Sequence, residues 1–295
     1  MSQPAFAAPR LLLSARALDG ATRATRERLL EIQERFREPE SLAVTLVKAV
    51  DAGAEGVLAS PSPVLRAALA ELGRAIPLCA VLPALRAQDY RMLEPGVEAL
   101  LARARQGAGA AARFGMAWRG LVSRAAFRSG DFAARVPVLL EAEARLLPRR
   151  GVMGVVIAAP LTDAALAGRH RAFFDSVARF VRARFRAPAG FETRNPGTLL
   201  RRLREWGARP DFVVGPLNPR GLGMKPSAAE TLAELGRSEV PFVATELRAS
   251  GLCGLDEGAR YAREHGAYGL APDLSEMDEV VVELRGLGAL PARQP

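Results

Sequence analysis

The sequence predicts a (β/α)8 barrel of the TIM type, with a helical insertion between its third and fourth strands. Three observations carry this reading. Eight short apolar runs recur along the chain, each ending in polar or charged residues. Segments with helical spacing or helix-capping residues lie between them, an alternation that implies parallel strands joined by right-handed crossovers. A length of 295 residues suits eight such units with room for one insertion. No Gly-rich turn follows the first run, which argues against an open, dinucleotide-binding sheet.

The first strand is read over 10–15, reaching Ser14 and then Arg16. Residues 22–37 read as a charged helix with Leu29, Ile32 and Phe36 at helical spacing. Ser41 is read as the N-cap of a second helix that stops at Gly53. Residues 55–60 form the second strand. Ser62 and Pro63 then open a helix that Gly73 closes. The third strand is 76–82.

From about 86 to 150 the rhythm breaks. The segment reads as two or three helices and exceeds what one crossover needs. It is read as an insertion within a single domain spanning 1–295, one that covers an end of the barrel or forms a contact between copies of a homo-oligomer. The fourth strand is 151–159, ending in the polar pair Thr162 and Asp163.

Residues 170–185 have Phe173, Phe174, Val177, Phe180, Val181 and Phe185 on one face and arginines on the other. This is read as an outer-ring helix packing its aromatic face on the sheet, ahead of a membrane or nucleic-acid surface. The fifth strand holds 191–193, and Asn195 with Pro196 caps the next helix, which ends at Gly207. The sixth strand is 211–215. After a Gly-rich loop, Ser227 to Glu230 is a capping box. The seventh strand is 242–246, Asp256 is read as the following cap, and the eighth strand is 268–271.

The formal net charge is +9, but Lys48 and Lys225 are the only lysines, so 41 − 2 = 39 of the basic residues are arginine. These arginines run through every predicted helix instead of forming one patch. They read as compositional bias, not as a nucleic-acid footprint. Cys79 and Cys253 lack metal-ligand spacing and fit a reducing compartment. The N-terminal apolar stretch is too short for a signal peptide, and the longest apolar run, 151–161, is too short to span a bilayer. A cytoplasmic protein with no membrane partner is expected.

In barrels of this kind the chemistry sits at the carboxyl ends of the strands. That geometry nominates Ser14, Arg16, Ser60, Thr162, Asp163, Glu192, Arg194, Asn218, Glu246, Arg248 and Asp273. Glu192 and Glu246 stand at the ends of apolar strands, where a carboxylate is costly unless paired, hydrogen-bonded or metal-bound. They could serve as general acid and base. With Asp163 or Asp273 they could instead hold a divalent cation. Equally, each could pair with Arg194, Arg248 or an arginine across the barrel. His170 and His265 fall on predicted helices, away from the strand ends. The loop 218–227 is distinctive: Gly221 and Gly223 allow close backbone approach to a ligand, and Lys225 before a helix start suits an anionic group.

The stretch from VVGPLNPRGLGMKPS to VPFVATELRASG resembles the C-terminal half of uncharacterised barrel proteins that are loosely similar to aldo-keto reductases. The likeness covers about a third of the chain. It implies a barrel. The Asp, Tyr, Lys and His set of true aldo-keto reductases is not matched: no tyrosine follows the second strand, no lysine ends the third and no histidine ends the fourth.

The leading expectation is an enzyme of lyase or isomerase type acting on a small anionic or polyoxygenated metabolite. Glu192 and Glu246 would be catalytic. Lys225, Arg194, Arg248, Asn218, Gly221, Gly223 and Asp273 would bind substrate. The alternatives are a non-catalytic binding or scaffold barrel and an aldo-keto-reductase-like oxidoreductase without the usual catalytic set.

Overall fold

The computed structural model describes residues 7–84, 132–148 and 150–289. Eight parallel strands lie in sequence order in one sheet: β1 (Leu12–Ser14), β2 (Gly56–Ala59), β3 (Leu78–Leu82), β4 (Val152–Ile157), β5 (Ala189–Glu192), β6 (Phe212–Pro216), β7 (Phe242–Thr245) and β8 (Gly269–Leu270). The sheet curls round on itself. Parallel bridges join Leu11 to Leu270 and Ser14 to Asp273, and Ser14 N donates to Pro272 O at 2.8 Å. This is the predicted (β/α)8 barrel.

Ten α-helices are described: α1 (Arg26–Arg35), α2 (Pro39–Asp51), α3 (Pro63–Glu71), α4 (Phe132–Glu143), α5 (Ala159–Ala167), α6 (Arg171–Phe185), α7 (Pro196–Trp206), α8 (Ala228–Arg237), α9 (Leu255–Glu264) and α10 (Val280–Ala289). Of the predicted insertion, α4 and a short 3-10 turn at Ala144–Leu146 fall within the described residues; residues 85–131 lie outside them.

The strands bury both faces, as parallel strands covered by helices must. Alternate residues separate into two cores. Leu12, Leu58, Cys79, Val81, Val156, Phe212, Val214 and Val243 fill the barrel interior, while Leu13, Val57, Val155, Ile157, Phe191, Val213 and Ala244 pack outward against the helices. The interior closes around the Phe212 ring, and a Cβ added to Gly190 would stand 2.5 Å from that ring. Burial alone pushes the Cys79 thiol up to about 12, consistent with a small buried hydrophobe. On the outer side, the aromatic face of α6 stacks on β5 and α7: Phe174 lies 5.1 Å from Phe191 and 5.7 Å from Trp206, centroid to centroid. Among the described residues no helix is long and apolar enough to cross a membrane.

Several boundaries differ from the sequence expectation. The apolar run of β4 continues into α5, whose first turn takes Pro160 without losing a hydrogen bond. Thr162 and Asp163 are therefore helical and do not sit on a strand end. The second helix starts at Pro39 with Glu38 as N-cap, so Ser41 lies inside its first turn. Gly254, not Asp256, is the N-cap of α9. Asn195 holds the N-cap position of α7, but its side chain makes no capping bond. Ser62 and Ser227 cap as expected, accepting from Leu65 N and Glu230 N.

Candidate active site at the barrel mouth

The period of two along each strand decides which residues enter the mouth. From interior Leu12 the alternation reaches Ser14 and then Arg16; from Gly190 it reaches Glu192; from Ala271 it reaches Asp273. Arg16 is 3% exposed, deep in the mouth. Its Nη2 donates to Glu192 Oε2 at 3.1 Å and its Nη1 donates to Ser60 Oγ, with Asp19 a further 3.8 Å away. Ala159 N, at the start of α5, also donates to Glu192 Oε2, at 3.0 Å. Glu192 is thus the anion that neutralises a buried guanidinium. Its partner lies across the barrel and is neither Arg194 nor Arg248.

Glu246 arrives differently. Inward Val243 would send the next inward side chain to Thr245, not to 246. Glu246 takes a left-handed backbone, φ 55°, which breaks the alternation. Its carboxylate lies against Gly223 and beside Arg23: an added Gly223 Cβ would stand 3.1 Å from both Glu246 Oε2 and Arg23 Cζ. Arg23 Nε is 3.1 Å from Glu246 Oε2. The angle is poor, however, and this buried oxygen has no hydrogen-bond partner. Burial pushes the Glu246 carboxyl up to about 7; Arg23 and Arg194 pull it down, while Glu192 and Asp273 push it further up.

Asp273 is fully committed. It accepts from Ser14 Oγ (2.7 Å), Ala17 N (3.2 Å), Ser275 N (3.0 Å) and Ser275 Oγ (2.7 Å). With Glu276 it forms a capping box around the 3-10 turn Leu274–Glu276. Helix-end capping therefore accounts for Asp273. Glu276, which the strand-end geometry did not nominate, accepts from Arg248 N (2.8 Å) and Asp273 N (3.0 Å); burial pushes it up to about 7. The pattern Asp-x-x-Glu at 273–276 was a legible signal for it. Arg23, in the loop before α1, carries no such signal.

The other expected site residues fall into two groups. Arg194 stands near Glu246 and donates its backbone N to Asp163 at 3.0 Å. Asp163 also accepts from Thr193 Oγ1 at 2.5 Å, so it braces the β5–α7 turn. Arg248 reaches the Glu276 carbonyl through Nη1 at 2.9 Å.

The loop after β6 is held by its own contacts. Asn218 is buried and its amide bonds both the N and O of Leu222. Gly221, φ 67°, packs against Ala228 at the start of α8. Lys225 is exposed, and its carbonyl accepts from Gly197 N at 2.9 Å. Both glycines thus meet the protein's own atoms. Among the described residues no three His, Cys, Asp or Glu side chains gather as a metal site. At the ends of β2, β3 and β4 stand Ala59, Leu82 and Ile157, none of them a member of the reductase set.

No family model and no curated protein matches the chain. Solved structures share its shape at low identity. A Pseudomonas aeruginosa protein ascribed to the aldo-keto reductases aligns over 95% of this chain and 91% of its own, at 11% identity and TM-score 0.53. An aldo/keto reductase from Brucella melitensis aligns over 86% and 84%, at 13% identity and TM-score 0.45. The homocysteine methyltransferase MmuM from Escherichia coli aligns over 96% of each chain, at 13% identity and TM-score 0.45. Such likeness speaks to fold, not chemistry: the chain is a (β/α)8 barrel, and aldo-keto-reductase-like proteins are among those whose barrel it resembles.

Proposed function

We propose that this barrel is a small-molecule enzyme of lyase or isomerase type, in which Glu246 moves a proton. One observation carries the reading: a buried carboxyl at the barrel mouth with an unbonded oxygen, held near 7 by burial. A group that titrates near the working pH can both take and return a proton. Structural carboxylates in the same mouth, such as Asp273, have their oxygens occupied.

In this reading Glu246 in its ionised form abstracts a proton from carbon or oxygen of the substrate, then returns it at another atom. Arg194 and Arg23 steady the negative charge that develops. Glu192 is held in place by Arg16 and Ala159 N, and it raises Glu246 through repulsion. The split follows a general rule, in which two carboxylates in different environments take different roles. The chemistry needs only positioned acid–base groups and anion binding, hence a small anionic or polyoxygenated substrate.

The test is solvent exchange. Small hydroxy and keto acids and their phosphate esters are incubated with the protein in D2O and followed by NMR. Enzyme-dependent deuterium incorporation that Glu246→Gln abolishes supports the reading. Absence of exchange across the panel, with ligand binding intact in the same samples, favours a non-catalytic binding barrel instead.

A further inference from the structure

A cavity of about 260 Å3 opens between the start of α1 and the loops that follow β7 and β8, and one residue of its wall, Arg23, pairs with Glu246. Arg23, Arg28 and Arg248 line it, together with the hydroxyl residues Thr25 and Ser250. The negative groups at its wall are Glu276 and Asp278.

These charges do not cancel. Arg28 is consumed by the frame: it donates to Ser275 O (3.1 Å), Met277 O (2.9 Å), Asp278 Oδ1 (2.7 Å) and the Glu31 carboxylate (2.9 Å). Glu276 turns both carboxyl oxygens onto backbone amides, and burial favours its neutral form. The Arg248 side chain has one hydrogen bond, to the Glu276 carbonyl, and no ion pair among the described residues. Arg23 pairs with Glu246, its Nε 3.1 Å from Oε2. A surplus of positive charge therefore faces an open volume, from two guanidinium groups on different loops.

The walls are also held in place. Ser250 Oγ donates to Arg23 O at 2.7 Å, tying the loop after β7 to the approach of α1. Arg28 ties α1 to the loop after β8. Thr25 Oγ1 accepts from Arg28 N as the N-cap of α1 and retains its own proton to donate. A site whose donors are pre-positioned binds without first paying to order them.

We propose that this cavity is an anion subsite that takes the phosphate group of a small phosphomonoester, whose reacting end lies at Glu246. A planar carboxylate satisfies one guanidinium fork. A tetrahedral dianion with three free oxygens can meet Arg248, Arg23 and the Thr25 hydroxyl from different sides. Arg23 joins the two sites, since it lines the cavity and touches the Glu246 carboxylate. The assignment of the occupant to a substrate rests on the acid–base reading above; the anion subsite does not.

The experiment is calorimetric titration of the full chain with inorganic phosphate, glycerol 3-phosphate and acetate, at low ionic strength and pH 6, where Glu276 is largely neutral. The variants are Arg248→Ala, Ser250→Glu, Glu246→Gln and the surface control Arg209→Ala. The expected result is saturable phosphate binding, at least tenfold weaker in Arg248→Ala, lost in Ser250→Glu and unchanged in Arg209→Ala. Ser250 is exposed, so its variant keeps the test sharp if Arg248→Ala folds poorly. Tighter binding of glycerol 3-phosphate than of phosphate points to a phosphomonoester; equal binding points to free phosphate and overturns the substrate assignment. No saturable phosphate binding, equal weakening in Arg209→Ala, or acetate binding as tightly as phosphate overturns the subsite. Glu246→Gln is expected to retain phosphate binding. If it does so while the exchange test above fails, the acid–base reading falls and the subsite stands.

Discussion

Replacing Glu246 by glutamine removes an ionisable group that the fold holds near 7 against an ordinary value of 4.5. The sign follows from linkage. A carboxyl whose folded value is raised binds its proton more tightly in the folded state, so its contribution is fully favourable below 4.5 and is lost as pH rises through 7. The gap of about 2.5, at 1.36 kcal/mol per pKa unit, is worth about 3 kcal/mol. Most of it, about 2.5 kcal/mol, is lost between pH 5 and pH 8. Glutamine stays neutral and keeps a similar shape, and Arg23, 31% exposed, can turn to water when its partner is gone. Glu246→Gln is therefore expected to be close to wild type in stability at pH 5 and more stable by about 2–3 kcal/mol at pH 8. Urea unfolding at pH 5, 6, 7 and 8, at fixed ionic strength, with circular dichroism as readout, measures this. Glu276, also pushed up to about 7, slopes in the same direction in both proteins. The wild-type-minus-variant difference is thus the quantity to read. A flat difference across this range, or a variant less stable than wild type at pH 8, refutes the claim that burial holds Glu246 in a costly state.

Glu192→Gln should behave in the opposite way: it removes the nearest anion from the buried Arg16 guanidinium and is expected to cost about 3 kcal/mol in urea unfolding. Gly223→Ala is expected to cost about 1–2 kcal/mol, because its φ of 76° disfavours a side chain and the new Cβ would crowd Arg23 and Glu246; thermal unfolding tests it. Asp273→Asn replaces a buried carboxyl that accepts four hydrogen bonds and should cost about 2–3 kcal/mol at pH 7 by the same measurement. Lys225→Ala, at an exposed side chain, should leave stability within about 0.5 kcal/mol of wild type.

The barrel was legible because its strands are apolar on both faces and separated by helices with recognisable starts. Ser62-Pro63 and the Ser227–Glu230 box marked α3 and α8 within a residue or two. The misplaced boundary at β4 has a simple cause. Ala158 to Leu161 is as apolar as the strand before it, and a short apolar run does not distinguish a buried strand from the first turn of a buried helix. Thr162 and Asp163 inherited that error. In the loop 218–227 the glycines were rightly marked as places of close approach, but what approaches Gly223 comes from Arg23 and Glu246, and what approaches Gly221 comes from α8. Sequence shows that a backbone is free to be approached; it does not show by what. Arg23 was invisible for the same reason, since its partner is far along the chain and no local pattern joins them.

Glu192 and Glu246 show how much a single backbone angle can change. Both are glutamates closing apolar strands of one barrel, and by residue type and position they are equivalent. Glu192 follows the strand alternation inward and lands on Arg16 and on the N–H at the start of α5, two donors that hold its carboxylate. Glu246 enters only because residue 246 adopts φ 55°. In that position one of its oxygens stands unbonded beside one arginine. A strained backbone that holds a carboxyl short of its usual partners is costly to keep, and such strain gathers where a group must remain reactive. The same turn brings Glu246 to Arg23, which also lines the arginine-lined cavity. The proposed proton-carrying group and the proposed anion subsite thus meet at Arg23, which is why the mouth supports a reading in which substrate charge and proton transfer are handled side by side.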